Sequence, residues 1–262
     1  MTNIRAKKSL GQNFLKDPHY LNKIVEAAGI VSEDRVLEIG PGLGHMTRLL
    51  AERAKQVLAL ELDERLIPVL QKEFGPLPNV EIVQADALEY DYETLSGKWK
   101  VVANLPYYIS TPIIQKLLAY REKFTSLTLM LQKEVAERIT ASPGGKDYGY
   151  LSVLVQLHTL PKLHFVVPPG AFTPRPEVDS AVITLAVQEH PAAAGLDQHY
   201  FIRLVKAAFS QRRKTLRNAL KQLDVPAAKM DRALEETGID LGRRAETLTI
   251  EEFARLSHFF RT

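Results

Sequence analysis

Between residues 35 and 131 the chain alternates short apolar runs with stretches of helical periodicity, and few folds accept that rhythm. The runs are RVLEIG from 35, QVLALE from 56, VEIVQAD from 80, WKVVAN from 99 and LTLML from 127, with helices expected from about 44, 63 and 112. Strands that are apolar throughout and separated by helices pair in parallel beneath helical layers. The expected fold class is therefore α/β, a Rossmann-like doubly wound sheet. Ahead of it, Asp17-Pro18, the stripe Leu21, Ile24, Val25 and Ala28, and a stop at Gly29 predict a helix of about three turns. Further on, HFVVPPGAF (164–172) and SAVITLAV (180–187) lack an intervening helix, so the sheet is expected to end in an antiparallel hairpin or meander.

From about residue 188 the strand signals stop. EHPAAAGLDQ has the composition of a linker, and the chain after it has helical periodicity with breaks at Pro226 and near Gly238 and Gly242. Two domains are expected, an α/β domain over 1–187 and a small all-helical domain over 188–262. The absence of cysteine excludes disulfides, thiolate metal sites and a cysteine nucleophile. His19, His45, His158 and His164 lack metal-ligand spacing, so no metal is expected. The N-terminus has no apolar signal core and no stretch approaches a membrane span; a cytoplasmic protein with no membrane partner is the expectation.

The net charge of +3 is unevenly spread: residues 188–262 hold 13 Lys and Arg against 10 Asp and Glu. Within 198–223 there are seven basic residues and no acid, among them Arg212, Arg213, Lys214 and Arg217, and the first 16 residues add Arg5, Lys7, Lys8 and Lys16 without an acid. Both patches suit a polyanion, and both also suit an ordinary solvated face.

LEIGPGLGHMT places Glu38, Gly40, Gly42 and Gly44 at the turn from the first strand of the sheet into a helix, where glycines let backbone approach a ligand. The spacing is G-x-G-x-G. A dinucleotide fingerprint would need glycine at 45, where the chain has His45, and no G-K-[ST] is present to bind a triphosphate. Glu61 closes the second strand, where a carboxylate can accept from two ribose hydroxyls, and Asp86 ends the third, placed to accept from an adenine amine. An adenosine with a charged tail that is not a phosphate fits these residues, and S-adenosyl-L-methionine is the expected cofactor.

The fourth run ends in Asn104-Leu105-Pro106-Tyr107-Tyr108 at a strand tip, the edge where ligands bind in open α/β sheets. Pro106 fixes its own φ and pushes Leu105 out of the helical region, which can hold the Leu105 carbonyl outward beside the Asn104 amide oxygen. Two neutral acceptors suit the two N–H groups of a planar exocyclic amine and can turn its lone pair toward a sulfonium methyl. Tyr107 offers a ring for stacking, and Phe172 of PPGAFTPRPEV could cover the other face. A base held so has left its duplex or is already unpaired.

GQNFL (11–15), EIGPGLG (38–44), ELD (61–63), QAD (84–86), NLPYYIST (104–111) and PPGAFTPRPEVDSAV (168–182) resemble, in order, the motifs of the ribosomal RNA adenine N6-dimethyltransferase family, and FSQRRKTLRNAL continues the likeness into the helical region. The resemblance implies a methyltransferase sheet and an enzyme that dimethylates two adjacent adenines near the 3' end of small-subunit ribosomal RNA. It implies that Asn13, Leu15, Gly40, Gly42, Glu61, Asp86 and Asn104 contact the cofactor, and that Asn104, Leu105, Pro106 and Tyr107 with Phe172 form the catalytic grip on adenine. The helical domain would bind a partly assembled small subunit, the protein acting as a monomer. Tyr108 departs from the pattern, which often has Asn there. Alternatives are the resistance-type large-subunit enzyme and a non-catalytic assembly factor on the same fold.

Overall fold

The computed structural model describes residues 6–188, 190, 192, 194–211 and 213–261; Arg5, Arg212 and the side chain of Lys8 fall outside what is described. The chain forms β1 (Phe14–Leu15), α1 (Pro18–Ala27), β2 (Arg35–Ile39), α2 (His45–Ala51), β3 (Gln56–Glu61), α3 (Ile67–Phe74), β4 (Val80–Gln84), β5 (Trp99–Asn104), α4 (Ser110–Ala119), β6 (Phe124–Gln132), α5 (Lys133–Thr140) and α6 (Tyr150–Gln156). Then come β7 (Thr159–Val167), β8 (Phe172–Thr173), β9 (Ser180–Val187), α7 (Gln198–Phe209), α8 (Leu216–Ala219), α9 (Ala227–Thr237) and α10 (Ile250–Arg261).

Seven strands make one sheet in the order β4-β3-β2-β5-β6-β9-β7, parallel from β4 through β6 and antiparallel between β6 and β9. The expected α/β sheet is therefore present, with an antiparallel end. HFVVPPGAF is not one strand. Pro168 and Pro169 break it into the end of β7, a 3-10 turn at Pro169–Ala171 and β8, which leaves the sheet and pairs with β1 at Phe14↔Thr173 and Leu15↔Phe172. Helix α1 has the expected ends: Asp17 accepts from the His19 N–H at 2.9 Å and Gly29 takes φ +56°. Helix α3 starts at Ile67, four residues later than 63, because Asp63 turns its side chain onto the Arg65 backbone at 3.2 Å and its carbonyl takes Leu66 N–H at 2.9 Å.

The chain divides into two compact units, 1–136 with 161–187 and 137–160 with 188–262. The segment 137–160 therefore groups with the C-terminal helices, although the sequence places it before the expected boundary at 187. Its physical reason is burial: Tyr148, Val153 and Leu157 share one core with Phe201, Leu204, Leu216, Phe253 and Leu256. In the first unit a core under the sheet includes Leu21, Ile24, Val25, Val36, Leu50, Val57 and Val102. Each such fully buried aliphatic side chain contributes on the order of 1.5–3 kcal/mol.

Candidate active site

An open cleft lies in the first unit beyond the C-terminal ends of β2 to β5, the edge where open α/β sheets bind their ligands. Its wall joins Asn13, Gly40, Gly42, Glu61, Asp86, Asn104, Leu105, Pro106, Tyr107 and Phe172, residues far apart in the chain that the sequence reading had grouped. Leu15 is not on that wall. It is 6% exposed, sits in the sheet core and borders only a smaller neighbouring cavity.

The glycine turn is tight for a stated reason. Gly42 has φ +59°, and a Cβ built there would stand 3.0 Å from the Phe14 ring. Its N–H donates to Glu61 Oε2 at 3.0 Å, and Asp63 N–H donates to Glu61 Oε1 at 2.8 Å. Both carboxylate oxygens are thereby oriented while keeping lone pairs for hydroxyl donors. Burial pushes the Glu61 carboxyl above its ordinary range, against the pull of those hydrogen bonds. Asp86 is anchored through Oδ1 by Leu88 N–H at 2.8 Å. The cleft wall has no lysine or arginine among the described residues, so it suits a neutral or cationic ligand and not a pyrophosphate. On these donors and acceptors an adenosine with a cationic tail fits.

Asn104 is the last residue of β5. Its Nδ2 donates to the Asn13 carbonyl at 3.1 Å, which fixes the amide and leaves Oδ1 without a donor among the described residues. Leu105 is 1% exposed and its N–H is tied to the Met130 carbonyl at 3.2 Å. Pro106 comes next with φ −56° and ψ 133°, an extended kink before the 3-10 turn Tyr107–Ile109. Tyr107 is half-buried, and its hydroxyl meets Ser180 Oγ at 2.7 Å. Burial raises the phenol above its ordinary range, so it stays neutral. Phe172 borders the cleft but is only 5% exposed, so Tyr107 offers the more accessible ring. Tyr108 is 58% exposed and packs over Gly11, whose added Cβ would meet that ring at 3.0 Å.

Two supporting residues were given no role by sequence reasoning. Gln12 Nε2 donates to Asp63 Oδ2 at 2.9 Å, tying the N-terminal segment to the loop after β3, and Asp63 is held well below the ordinary carboxyl range by Arg65. Ser180 anchors Tyr107. Gln12 stands inside GQNFL and Ser180 inside EVDSAV, but their partners are set only by the fold. In the second unit Arg213, Lys214 and Arg217 are all exposed, and Arg217 also gives its guanidinium to Asp231 at 2.7 Å. Among the described residues no acid and histidine cluster could hold a metal, and no helix is long and apolar enough to cross a membrane.

The family model for ribosomal RNA adenine dimethylase matches residues 3–262. Ribosomal RNA small subunit methyltransferase A of Geobacter metallireducens is 51% identical, over 97% of this chain and 95% of the relative. The protein of that name from Clostridium acetobutylicum is 48% identical, over 97% and 94%. A crystal structure of a dimethyladenosine transferase from Plasmodium falciparum superposes with a TM-score of 0.77 at 29% identity, covering 93% of this chain and 95% of that one. The 23S rRNA methyltransferase ErmE superposes at 0.72 and 28% identity, covering 95% and 100%. The chain belongs to the ribosomal RNA adenine dimethylase family and is an enzyme of that class.

Proposed function

We propose that this enzyme transfers methyl groups from S-adenosyl-L-methionine to the N6 amines of two adjacent adenines near the 3' end of small-subunit ribosomal RNA, on a partly assembled subunit. The observation that carries the reading is the Asn104 amide, held by the Asn13 carbonyl at 3.1 Å with its oxygen left to accept at the cleft. Glu61 would accept from the ribose hydroxyls and Asp86 from the adenine amine, with Asn13, Gly40 and Gly42 closing on the ligand's backbone side. When bound, the cofactor supplies an electrophilic methyl group on a sulfonium.

The chain's own task is to prepare the acceptor. Asn104 Oδ1 and the Leu105 carbonyl each take one N–H of the target amine, drawing the nitrogen from planarity and aiming its lone pair. Neither acceptor is a base strong enough to remove a proton first, so the proton leaves once the nitrogen has become cationic. After one transfer a single N–H remains, and the second transfer is oriented by one acceptor. Tyr107 stacks the flipped base and Phe172 borders the opposite side. Small-subunit RNA is favoured over large-subunit RNA by the relatives at 48–51% identity over nearly the whole chain.

The test incubates the protein with cofactor and small subunits from cells lacking the modification, then digests the RNA and analyses it by mass spectrometry. N6,N6-dimethyladenosine in the 3'-terminal fragment, abolished by Asn104→Ala, is expected. Transfer to large-subunit RNA alone would overturn the substrate, and binding of subunits without any transfer would reduce the protein to an assembly factor.

A further inference from the structure

Among the described residues, every phenylalanine, tyrosine and tryptophan side chain but one is buried or half-buried. The exception is Tyr108, 58% exposed. A ring so placed adds little to a core, and its use lies in what it can meet from solvent. It borders the cleft that Tyr107 also lines, on the 3-10 turn Tyr107–Ile109. Successive side chains of such a turn leave its axis about 120° apart, so neighbours in sequence face different ways. The Tyr107 ring is half-buried, its hydroxyl tied to Ser180 at 2.7 Å, and the Tyr108 ring is left at the mouth.

Gly11 sets the position of that ring. A Cβ added at Gly11 would stand 3.0 Å from both Cδ1 and Cε1 of Tyr108 and 3.5 Å from Pro106 Cβ. One side of the ring therefore rests on backbone while more than half of the side chain meets solvent. A ring held in advance loses little freedom when a flat group is laid on it. The segment that seats it, 7–16, carries exposed Lys7 and Lys16 and no acid, whereas the cleft wall has neither lysine nor arginine among the described residues. An aromatic platform beside cations suits an unpaired nucleotide, whose base stacks while its phosphates meet the charges.

We propose that Tyr108 is the platform for the nucleotide next to the one being methylated, so that the enzyme grips the adjacent adenines as a pair, one on Tyr107 and its neighbour on Tyr108. The inference rests on the function proposed above and adds to it a contact outside the reacting centre. Flipping one adenine into the cleft leaves its neighbour without a stacking partner on that side, which costs free energy. A second ring at the mouth offsets that cost. Stacking reads the face of a base and not its amine, so the same ring accepts either adenine of the pair, before or after methylation. Each can then take its turn inside the cleft while the other lies on Tyr108. A protein partner is a poorer occupant. Among the described residues Leu62 is the other exposed large apolar side chain at the cleft, too little for a hydrophobic interface.

The test measures transfer to each adenine by mass spectrometry, on small subunits rebuilt with the natural pair or with one adenine of the pair replaced by an abasic residue. On the natural pair Tyr108→Ala is expected to lower kcat/KM by about tenfold and Tyr108→Phe to keep the wild-type value, since the ring does the stacking. On abasic subunits the wild type is expected to fall by the same factor and the wild type and Tyr108→Ala to become equal, as a double-mutant cycle on one contact requires. Cofactor affinity, read by calorimetry, is expected to stay the same in both variants. On wild-type protein, replacing the neighbouring adenine by guanine, uracil or an abasic residue is expected to lower transfer progressively in that order. This series carries the test should Tyr108→Ala fail to fold. Full activity of Tyr108→Ala, an undiminished loss on abasic subunits, a matching loss of cofactor affinity, or a flat series with the neighbouring base would overturn the inference and leave the function standing. A wild-type protein that transfers nothing to intact small subunits would overturn the function and this inference with it.

Discussion

Tyr107 separates two jobs that one side chain does. Its ring borders the cleft and its hydroxyl meets Ser180 at 2.7 Å, so Tyr107→Phe removes the anchor and Tyr107→Ala removes the ring, the platform in the proposed function. Tyr107→Phe is expected to cost about 1 kcal/mol of stability, read by chemical denaturation, because it leaves the fully buried Ser180 hydroxyl without that partner. It should retain most of the methyl transfer. Tyr107→Ala is expected to lower kcat/KM by about 10- to 100-fold, the worth of one stacked base. Equal losses in both variants would assign the catalytic role to the hydroxyl. Asn104, Leu105 and Tyr107 were legible because they are adjacent and chemically odd for a strand tip. Ser180 and Gln12 were not, since their partners stand 73 and 51 residues away and no local pattern marks such a pairing.

At the level of elements, the turn between β2 and α2 is where spacing became geometry. Gly42 and Gly44 both have positive φ, but an alanine methyl would strike different neighbours: at 42 the Phe14 ring at 3.0 Å, at 44 the buried Phe74 ring at 2.5 Å. Left-handed backbone costs an alanine about 1–2 kcal/mol at either site. Gly42→Ala is therefore expected to fold with a modest loss in thermal stability while weakening cofactor binding, because it displaces Phe14 from the cleft wall and disturbs the N–H that orients Glu61. Gly44→Ala is expected to lose more stability, since Phe74 is 1% exposed and has little room to move. Thermal melts with cofactor calorimetry check the pair, and a larger stability loss at 42 than at 44 would contradict it. The same turn was legible as a tight strand-to-helix turn because glycine spacing is a backbone requirement. The split of 164–172 between two sheets was less so: the prolines announce a break, but where β8 goes depends on β1, more than 150 residues earlier.

On the scale of the whole molecule, the alternating rhythm up to residue 131 led to the sheet, and the composition shift near 188 led to the helices. What it could not convey is that 137–160 joins the later core, because an amphipathic helix shows that it has an apolar face without saying which core receives it. The basic patch needs the same distinction between a feature and its use. Sequence alone treats Arg213, Lys214 and Arg217 alike; the fold leaves all three exposed but pairs Arg217 with Asp231 at the surface. A cation that binds phosphate displaces condensed counterions, whereas one already neutralised by a carboxylate contributes less to that release. If this unit grips RNA, Arg213→Ala with Lys214→Ala should lower affinity for ribosomal RNA and reduce the slope of log K against log salt by about 1.5. Arg217→Ala should change the slope by less than either single substitution at 213 or 214, with Asp231→Ala raising affinity by freeing the guanidinium. Filter binding over a salt series measures all of these. A slope unmoved by the double substitution would return Arg213 and Lys214 to an ordinary solvated face, and a large change from Arg217→Ala would mean that RNA breaks the Asp231 pair to claim the arginine.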